Sequence, residues 1–443
     1  MDLAGAFHGA AYVASAHAQG VALAPEAVPR CGARKPPAEL KFADLLGAVL
    51  EDGHLRLIHC PRGRSGCRVR EDVVLEVSGE RPAVEAWVKE VCDKCHANKS
   101  PRRYQVFVNP ASGAGHAAGI WRKAKSLLAA LPYLECQEVF TQWAGDAEER
   151  AARLELQSCD GIIVVSGDGM VHEVFNGLCQ RLDASAALAQ IAVGHIPAGS
   201  GNALAKSILE GAGEAYGVLD AAFLIAKGRT QALDLMRVQA EAMAGVGPRS
   251  SFLNFSGAIV ADIDLGSEAL RCLGGCRFQV WTALCLARPR ALLADLWYLP
   301  PGAPLPAQAP QLEDELTAPW EKISGSFSLF FATNTAWACY DVHLAPGLAL
   351  GGSGWRICLC RDFSRLRLTK CLLAMESGKH VAQEGVELLE CQAFRVAPSG
   401  GEGRFSLDGE EVPFKPIQFW PSTPGRVLGA PEDLSESTGG ARI

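Results

Sequence analysis

The apolar run Gly161-Ile162-Ile163-Val164-Val165 stops at Ser166-Gly167-Asp168-Gly169 and gives way to a helical pattern through Met170, Val171, His172 and Glu173. A short run of this kind has the character of a buried strand, and the Gly-Asp-Gly turn behind it opens a helix. This sets one carboxylate, Asp168, at the carboxyl end of a strand, where open α/β sheets bind their ligands. Asp168 is the first candidate for chemistry, although an Asp holding a tight turn looks the same in isolation.

The pattern extends on both sides. Strand candidates at 104–108, 138–141, 162–165, 191–196 and 231–235 alternate with helical stretches, which predicts a doubly wound α/β domain. Three of them end in loops of glycine and small polar residues: Asn109-Pro-Ala-Ser-Gly113-Ala-Gly115, Gly167-Asp-Gly169 and Pro197-Ala-Gly199-Ser-Gly201-Asn202. Parallel strands bring their carboxyl ends to one edge, so the three loops meet there. Glycines let backbone N–H groups approach an anion, and helices beginning near Ala117, Val171 and Ala203 turn their positive ends to the same place. A polyphosphate uses all of these features at once. The first loop lacks the Gly-Lys-Ser/Thr ending of a P-loop, which excludes a Walker-type ATPase.

With 443 residues, 49% of them hydrophobic, the chain has room for two or three domains. Residues 1–40 are Ala-rich, carry few charges and read as a disordered tail without the basic segment of a secretory leader. Residues 41–98 read as a small separate α+β module, with β-like runs at 55–58 and 73–77 before a helix centred on Trp87, similar to a pleckstrin-homology domain. The α/β domain is expected over 101–236, an all-β unit over 237–428 with a Pro-rich surface insertion at 300–320, and a second disordered tail over 429–443. Sixteen cysteines, scattered from Cys31 to Cys391, read as reduced thiols of a cytoplasmic protein. Cys92, Cys95 and His96 match the letters of a haem-attachment sequence, and with Cys60 and Cys67 those of a zinc site, but incidental thiols are the default in such a chain. A net charge of −7 offers no field for nucleic acid. No apolar run reaches the roughly 18 residues of a membrane-spanning helix, so membrane contact is expected to be peripheral.

The order of the motifs carries a resemblance. Asn109-Pro110 with its glycines, Ser166-Gly-Asp-Gly169 followed by Glu173 and Asn176-Gly177, and Pro197 to Asn202 resemble the successive motifs of the diacylglycerol kinase catalytic family. Asp262-Ile-Asp264-Leu-Gly-Ser-Glu268 with Arg271 and Arg277, Leu373-Ala-Met375-Glu-Ser-Gly-Lys-His380, and Leu407-Asp408-Gly409-Glu410 resemble its sphingosine kinase branch. The likeness spans residues 102–428, and the amino-terminal extension is similar to that of plant and algal members. It implies an α/β nucleotide-binding domain followed by an antiparallel β-sandwich domain, with the active site in the cleft between them. It further implies an ATP- and Mg2+-dependent lipid kinase that visits a peripheral membrane surface; a homodimer is left open.

Roles follow from the resemblance position by position. Asp168 is the general base toward the primary hydroxyl of the lipid. Asn109, Ser112, Gly113, Thr141, Ser166, Gly169, Glu173, Gly199, Ser200, Gly201 and Asn202 are expected at the nucleotide, with Gly409 and Glu410 from the carboxyl-terminal loop. Arg271 and Arg277 are expected to clamp phosphate oxygens, with Glu268 orienting Arg271 or a ribose. The Mg2+ ligands are not legible. Asp264 is expected to meet the ammonium and hydroxyls of a sphingoid base, helped by Asn254, while Ile259, Phe278, Met375 and His380 line the path of the lipid tail. The chain departs from the family in two places: the first loop carries no Lys or Arg, and Gly266 stands where close relatives have Glu.

Overall fold

The structure is a computed structural model and describes residues 2–7, 10–25, 36–77, 79–95, 101–240, 249–267, 269–270, 276–352 and 354–431. At the amino terminus β1 (Asp2–Phe7), β2 (Ala10–Ala16), β3 (Gly20–Pro25), β4 (Glu39–Lys41), β5 (Leu45–Glu51), β6 (His54–His59) and β7 (Val73–Val77) form one antiparallel sheet in the order β4-β3-β2-β1-β7-β6-β5. Helix α1 (Arg81–Cys95) buries Val84, Trp87, Val91 and Cys95 against it, one apolar stripe at helical spacing. The described residues 2–7, 10–25 and 36–40 are therefore not a disordered tail. Tyr12, Ala14, Val21 and Leu23 alternate inward along β2 and β3, an alternation hidden in the sequence because most of the residues on either face are small.

Nor does the module stand apart. Leu46, Ile58 and Cys60 belong to the same core as the next domain. The buried Lys227 donates to the carbonyls of Phe42 and Leu45 at 2.7 Å each and of Cys95 at 3.3 Å. Arg68 binds Glu214 through Nη2 at 2.6 Å and also pairs with Asp44. Removing one partner of such a buried ion pair costs about 3–5 kcal/mol, because a charge is left uncompensated. The junction is thus built to stay closed.

The second domain contains β8 (Arg102–Val108), the single turn α2 (Ser112–Gly115), α3 (Ala117–Leu128), β9 (Leu134–Phe140), α4 (Asp146–Ala152), β10 (Gly161–Ser166), α5 (Asp168–Cys179), α6 (Ala184–Gln190), β11 (Ala192–Pro197), α7 (Ala203–Gly211), α8 (Val218–Lys227) and β12 (Thr230–Leu233). Its sheet has the order β12-β24-β11-β10-β8-β9, where β24 (Gly425–Leu428) arrives from the far end of the chain. β24 runs parallel to β11, and β12 lies antiparallel to β24 at the edge. The expected boundary at 428 is corrected accordingly, since the last strand belongs to the α/β sheet. All six residues of β10 and of β11 are buried, as the apolar run required.

The third domain is one continuous antiparallel sheet of β13 (Met236–Ala240), β14 (Arg249–Ser251), β15 (Asn254–Gly257), β16 (Leu292–Leu299), β17 (Glu321–Thr333), β18 (Trp355–Arg361), β19 (Val386–Cys391), β20 (Ala393–Gly400), β21 (Phe405–Leu407), β22 (Glu410–Val412) and β23 (Ile417–Pro421). β17 pairs with β16 over its first half and with β18 over its second, so one long strand serves both halves of the expected sandwich. The sheet wraps a core that includes Phe255, Phe330, Phe394, Phe405 and Phe419. The domain is not all-β. Helices α9 (Ala258–Ser267), α10 (Cys276–Ala287) and α11 (Arg365–Met375) cover a second apolar cluster, and the β-branched residues of α9 disguise it as a strand.

Candidate active site

The three loops interlock through their backbones. A Cβ on Gly199 would lie 2.4 Å from Cα of Gly167, and one on Gly113 would lie 2.4 Å from the carbonyl oxygen of Ala198. Gly113 adopts φ 59, a left-handed conformation that glycine holds without strain. Ser112 Oγ donates to Ala198 O at 3.1 Å, and Asp168 N donates to Gly201 O at 3.2 Å. Asn202 closes the third loop on itself, its side chain accepting from Gly199 N and donating to Gly199 O. Asn109 does the same for the first, accepting from Ala111 N at 3.0 Å. Ser166 and Thr141 are buried at strand ends, Ser200 is exposed, and a Cβ at Gly169 would meet nothing within 4 Å, as befits a wall facing ligand space.

Asp168 sits where the loops meet. Its Oδ2 accepts from Ala203 N at 2.7 Å and its Oδ1 from Leu204 N at 3.1 Å, the first two N–H groups of α7. Burial pushes its carboxyl above the usual carboxylate range, while the nearby His195 and these two N–H groups pull the other way. The result is a buried carboxylate whose basicity is raised on balance. Glu173 lies half-buried on α5; burial pushes its carboxyl up, while the backbone at Gly145 and Ala147, at the start of α4, pulls the other way.

The residue that joins the two domains here is Asp408, which the sequence singled out only as part of a motif. Its backbone has φ 50, and its buried carboxylate accepts from Ser251 Oγ (2.7 Å), Phe252 N (3.1 Å), Leu253 N (3.1 Å) and Asn254 N (2.9 Å), and faces His172 Nδ1 at 2.8 Å. His172 lies one turn beyond Asp168 on α5, so one carboxylate ties the catalytic helix to the curled sheet. Asn254 contributes its backbone to this knot. Gly409 (φ 90) and Glu410 follow directly and are exposed.

Asp264 projects from α9 and accepts from Ser406 Oγ at 2.6 Å, two residues from Asp408. Arg404 is its charged neighbour as well as that of Asp262, whose carboxyl is pushed up by burial. Gly266 finds its reason here: the Trp281 ring occupies the place of a Cβ, and Trp281 Nε1 donates to Asp262 O at 2.9 Å. Ile259 and Met375 meet in the cluster of Leu329, Phe331, Leu344 and Leu368, and the wholly buried His380 lies against Phe331 with Nε2 donating to Leu344 O at 3.0 Å. Burial holds the His380 ring neutral. Glu268 and Arg271 lie outside the described residues, as do the side chains of Arg277 and Phe278 on α10. A cavity of about 630 Å3 lined by Gln19, Lys41, Phe42 and Lys94 lies in the amino-terminal module and shares no residue with this centre.

Comparison with known proteins is consistent in direction. The diacylglycerol kinase catalytic domain family matches residues 103–238. Human sphingosine kinase 1 is 31% identical over 343 residues, 72% of this chain and 88% of that protein. Arabidopsis thaliana sphingosine kinase 1 is 29% identical over 384 residues, 79% of this chain and 76% of its own. A Bacillus anthracis str. Sterne protein assigned as a diacylglycerol kinase aligns with TM-score 0.52 at 16% identity over 75% of this chain and 98% of its own, a likeness of fold.

Proposed function

Because the chain belongs to the sphingosine kinase family and phosphorylates sphingoid bases at the expense of ATP, we propose that Asp168 takes the proton of the lipid's primary hydroxyl while Asp264 receives its ammonium. The observation that carries this reading is the Asp168 carboxylate itself, buried at the junction of the three glycine loops and raised in pKa. The loops offer backbone N–H groups to the polyphosphate, and in-line transfer then needs little beyond positioning and charge. The nucleotide-side roles of Asn109, Ser112, Gly113, Thr141, Ser166, Gly169, Glu173, Gly199, Ser200, Gly201, Asn202, Gly409 and Glu410 belong to the same proposal.

Among the described residues no three His, Cys, Asp or Glu side chains cluster as a metal site. The carboxylates of Asp168 and Asp408 are already engaged by backbone N–H groups. These residues do not fit a resident metal, and Mg2+ is assigned to the nucleotide, which brings it with phosphate and water ligands.

The lipid is read from the opposite wall. A sphingoid base carries a cation that a carboxylate recognises, and a neutral lipid offers none. The apolar cluster of Ile259, Phe331 and Met375 supplies the environment for its tail. No helix of the described residues is long and apolar enough to cross a membrane. The exposed Val280 and Leu284 of α10 and Leu366 and Leu373 of α11, with Arg365 and Lys370 alongside, form a face suited to rest on an anionic bilayer from which the substrate is drawn. The seven-stranded sheet capped by α1 is read as pleckstrin-like and as a fixed part of the catalytic body. Purified protein given Mg-ATP and a panel of sphinganine, phytosphingosine, sphingosine, ceramide and diacylglycerol tests the reading. Turnover is expected on the three bases, and turnover confined to the neutral lipids would remove the role of Asp264.

A further inference from the structure

β11 sets His195 opposite Val164 of β10, immediately beneath the turn that carries Asp168. The residue is 3% exposed and its side chain is wholly shielded from solvent. Nε2 lies 3.0 Å from the carbonyl oxygen of Ser166. A carbonyl only accepts, so Nε2 carries the ring proton and Nδ1 of the neutral imidazole is a bare lone pair. That Nδ1 has no hydrogen-bond partner, and the atom it faces is Oδ1 of Asp168, 3.9 Å away. Two acceptors face each other in a buried site with no donor between them. Such an arrangement is unfavourable as it stands and becomes favourable when a proton enters the gap.

We propose that His195 is a positioning residue for the transferred proton, closing onto Asp168 when that carboxylate takes the proton of the lipid hydroxyl. The inference rests on the assignment of Asp168 as the base. During transfer the hydroxyl O–H bond breaks, its oxygen bonds to the γ-phosphorus, and the bond from that phosphorus to ADP breaks. The proton resides on Oδ1 of Asp168, shared with Nδ1 of His195, until it leaves to solvent with the products. Nε2 keeps its bond to Ser166 O throughout, so the ring is held in place while the gap shortens by roughly 1 Å to hydrogen-bonding distance.

The electrostatic surroundings make the pair self-contained. Burial lowers the basicity of His195 and Asp168 raises it. The charged residues on elements packed against β11 are occupied elsewhere. Arg426 of β24 bonds to Thr230 and Ala189 O, and Lys206 pairs with Glu210 on α7. On α8, Asp220 accepts from Arg68 N, while Lys227 holds the three carbonyls of the amino-terminal module. β10 carries no charged residue. Asp168 itself faces two further titratable groups: Asp408, which raises its pKa, and Tyr216, whose own pKa Asp168 helps to raise.

Steady-state kinetics of His195→Leu across pH tests the assignment. The ring shares the proton with Asp168, so its loss displaces the acid limb of kcat; kcat falls about tenfold, a fraction of what a proton acceptor contributes, with KM for ATP unchanged. A variant that merely packs less well but keeps the wild-type acid limb overturns the inference. Histidine 15N NMR titration of the wild type against Asp168→Asn supplies a readout that needs neither turnover nor the Leu variant. Proton uptake by His195 Nδ1 shifts to lower pH once the carboxylate is gone, and identical titrations overturn the inference. Failure of the wild type on every sphingoid base would instead count against the functional reading and leave the NMR comparison to decide His195.

Discussion

The α/β side of the candidate site is held together by backbone, and the curled-sheet side by side chains. On the first, Gly199 and Gly167 touch where no Cβ fits, and Gly113 presses on the Ala198 carbonyl. On the second, Ile259 of α9, Phe331 of β17 and Met375 of α11 meet from three elements far apart in the chain, and Asp264 depends on Ser406 of β21. A surface of backbone N–H groups suits a phosphate chain common to every turnover, whereas a surface of side chains can be altered residue by residue to choose a lipid. The proposed site thus separates the invariant part of the reaction from the selective part.

The sharpest way to break this division acts at the seam. Asp168→Asn is expected to lower kcat about 10³-fold, in the range for loss of a general base, while calorimetric affinity for Mg-ATP stays within about threefold. Equal loss of both would place Asp168 in nucleotide binding. Gly199→Val addresses the backbone side alone. With the new side chain forced onto Gly167, ATP affinity should fall about 100-fold through strain of a few kcal/mol, and the melting temperature should fall too. Unchanged ATP binding would show that the loops do not need to interlock. Met375→Ala acts on the other side, where it should cost about 2–4 kcal/mol in denaturant unfolding and change the preferred tail length several-fold, leaving KM for ATP untouched.

The same division explains what the sequence disclosed. Backbone sites require particular residue types in consecutive order, so Asn109 to Gly115, Ser166 to Gly169 and Pro197 to Asn202 were legible before any coordinates. His195 left no trace as a site residue, since a single histidine in an apolar strand reads as core. Asp408 was visible only as part of a Leu-Asp-Gly turn; its five partners come from α5 and from residues 251–254. The strands β1 to β3 were missed because alanine gives almost no contrast between faces, and α9 because its Ile-Val-Ala-Asp-Ile pattern satisfies the alternation of a strand. The return of β24 to the first sheet could not be read locally, since the pairing of strands is decided by packing over the whole chain.

Asp264→Asn bears most directly on the division between the two walls, read as the ratio of kcat/KM for sphinganine to that for ceramide. Loss of a charge-assisted contact of about 1.5–3 kcal/mol should collapse that ratio by about 10- to 100-fold, through KM for sphinganine, with KM for ATP unchanged. An unchanged ratio, or a parallel rise in KM for ATP, would contradict the assignment of lipid choice to the side-chain wall.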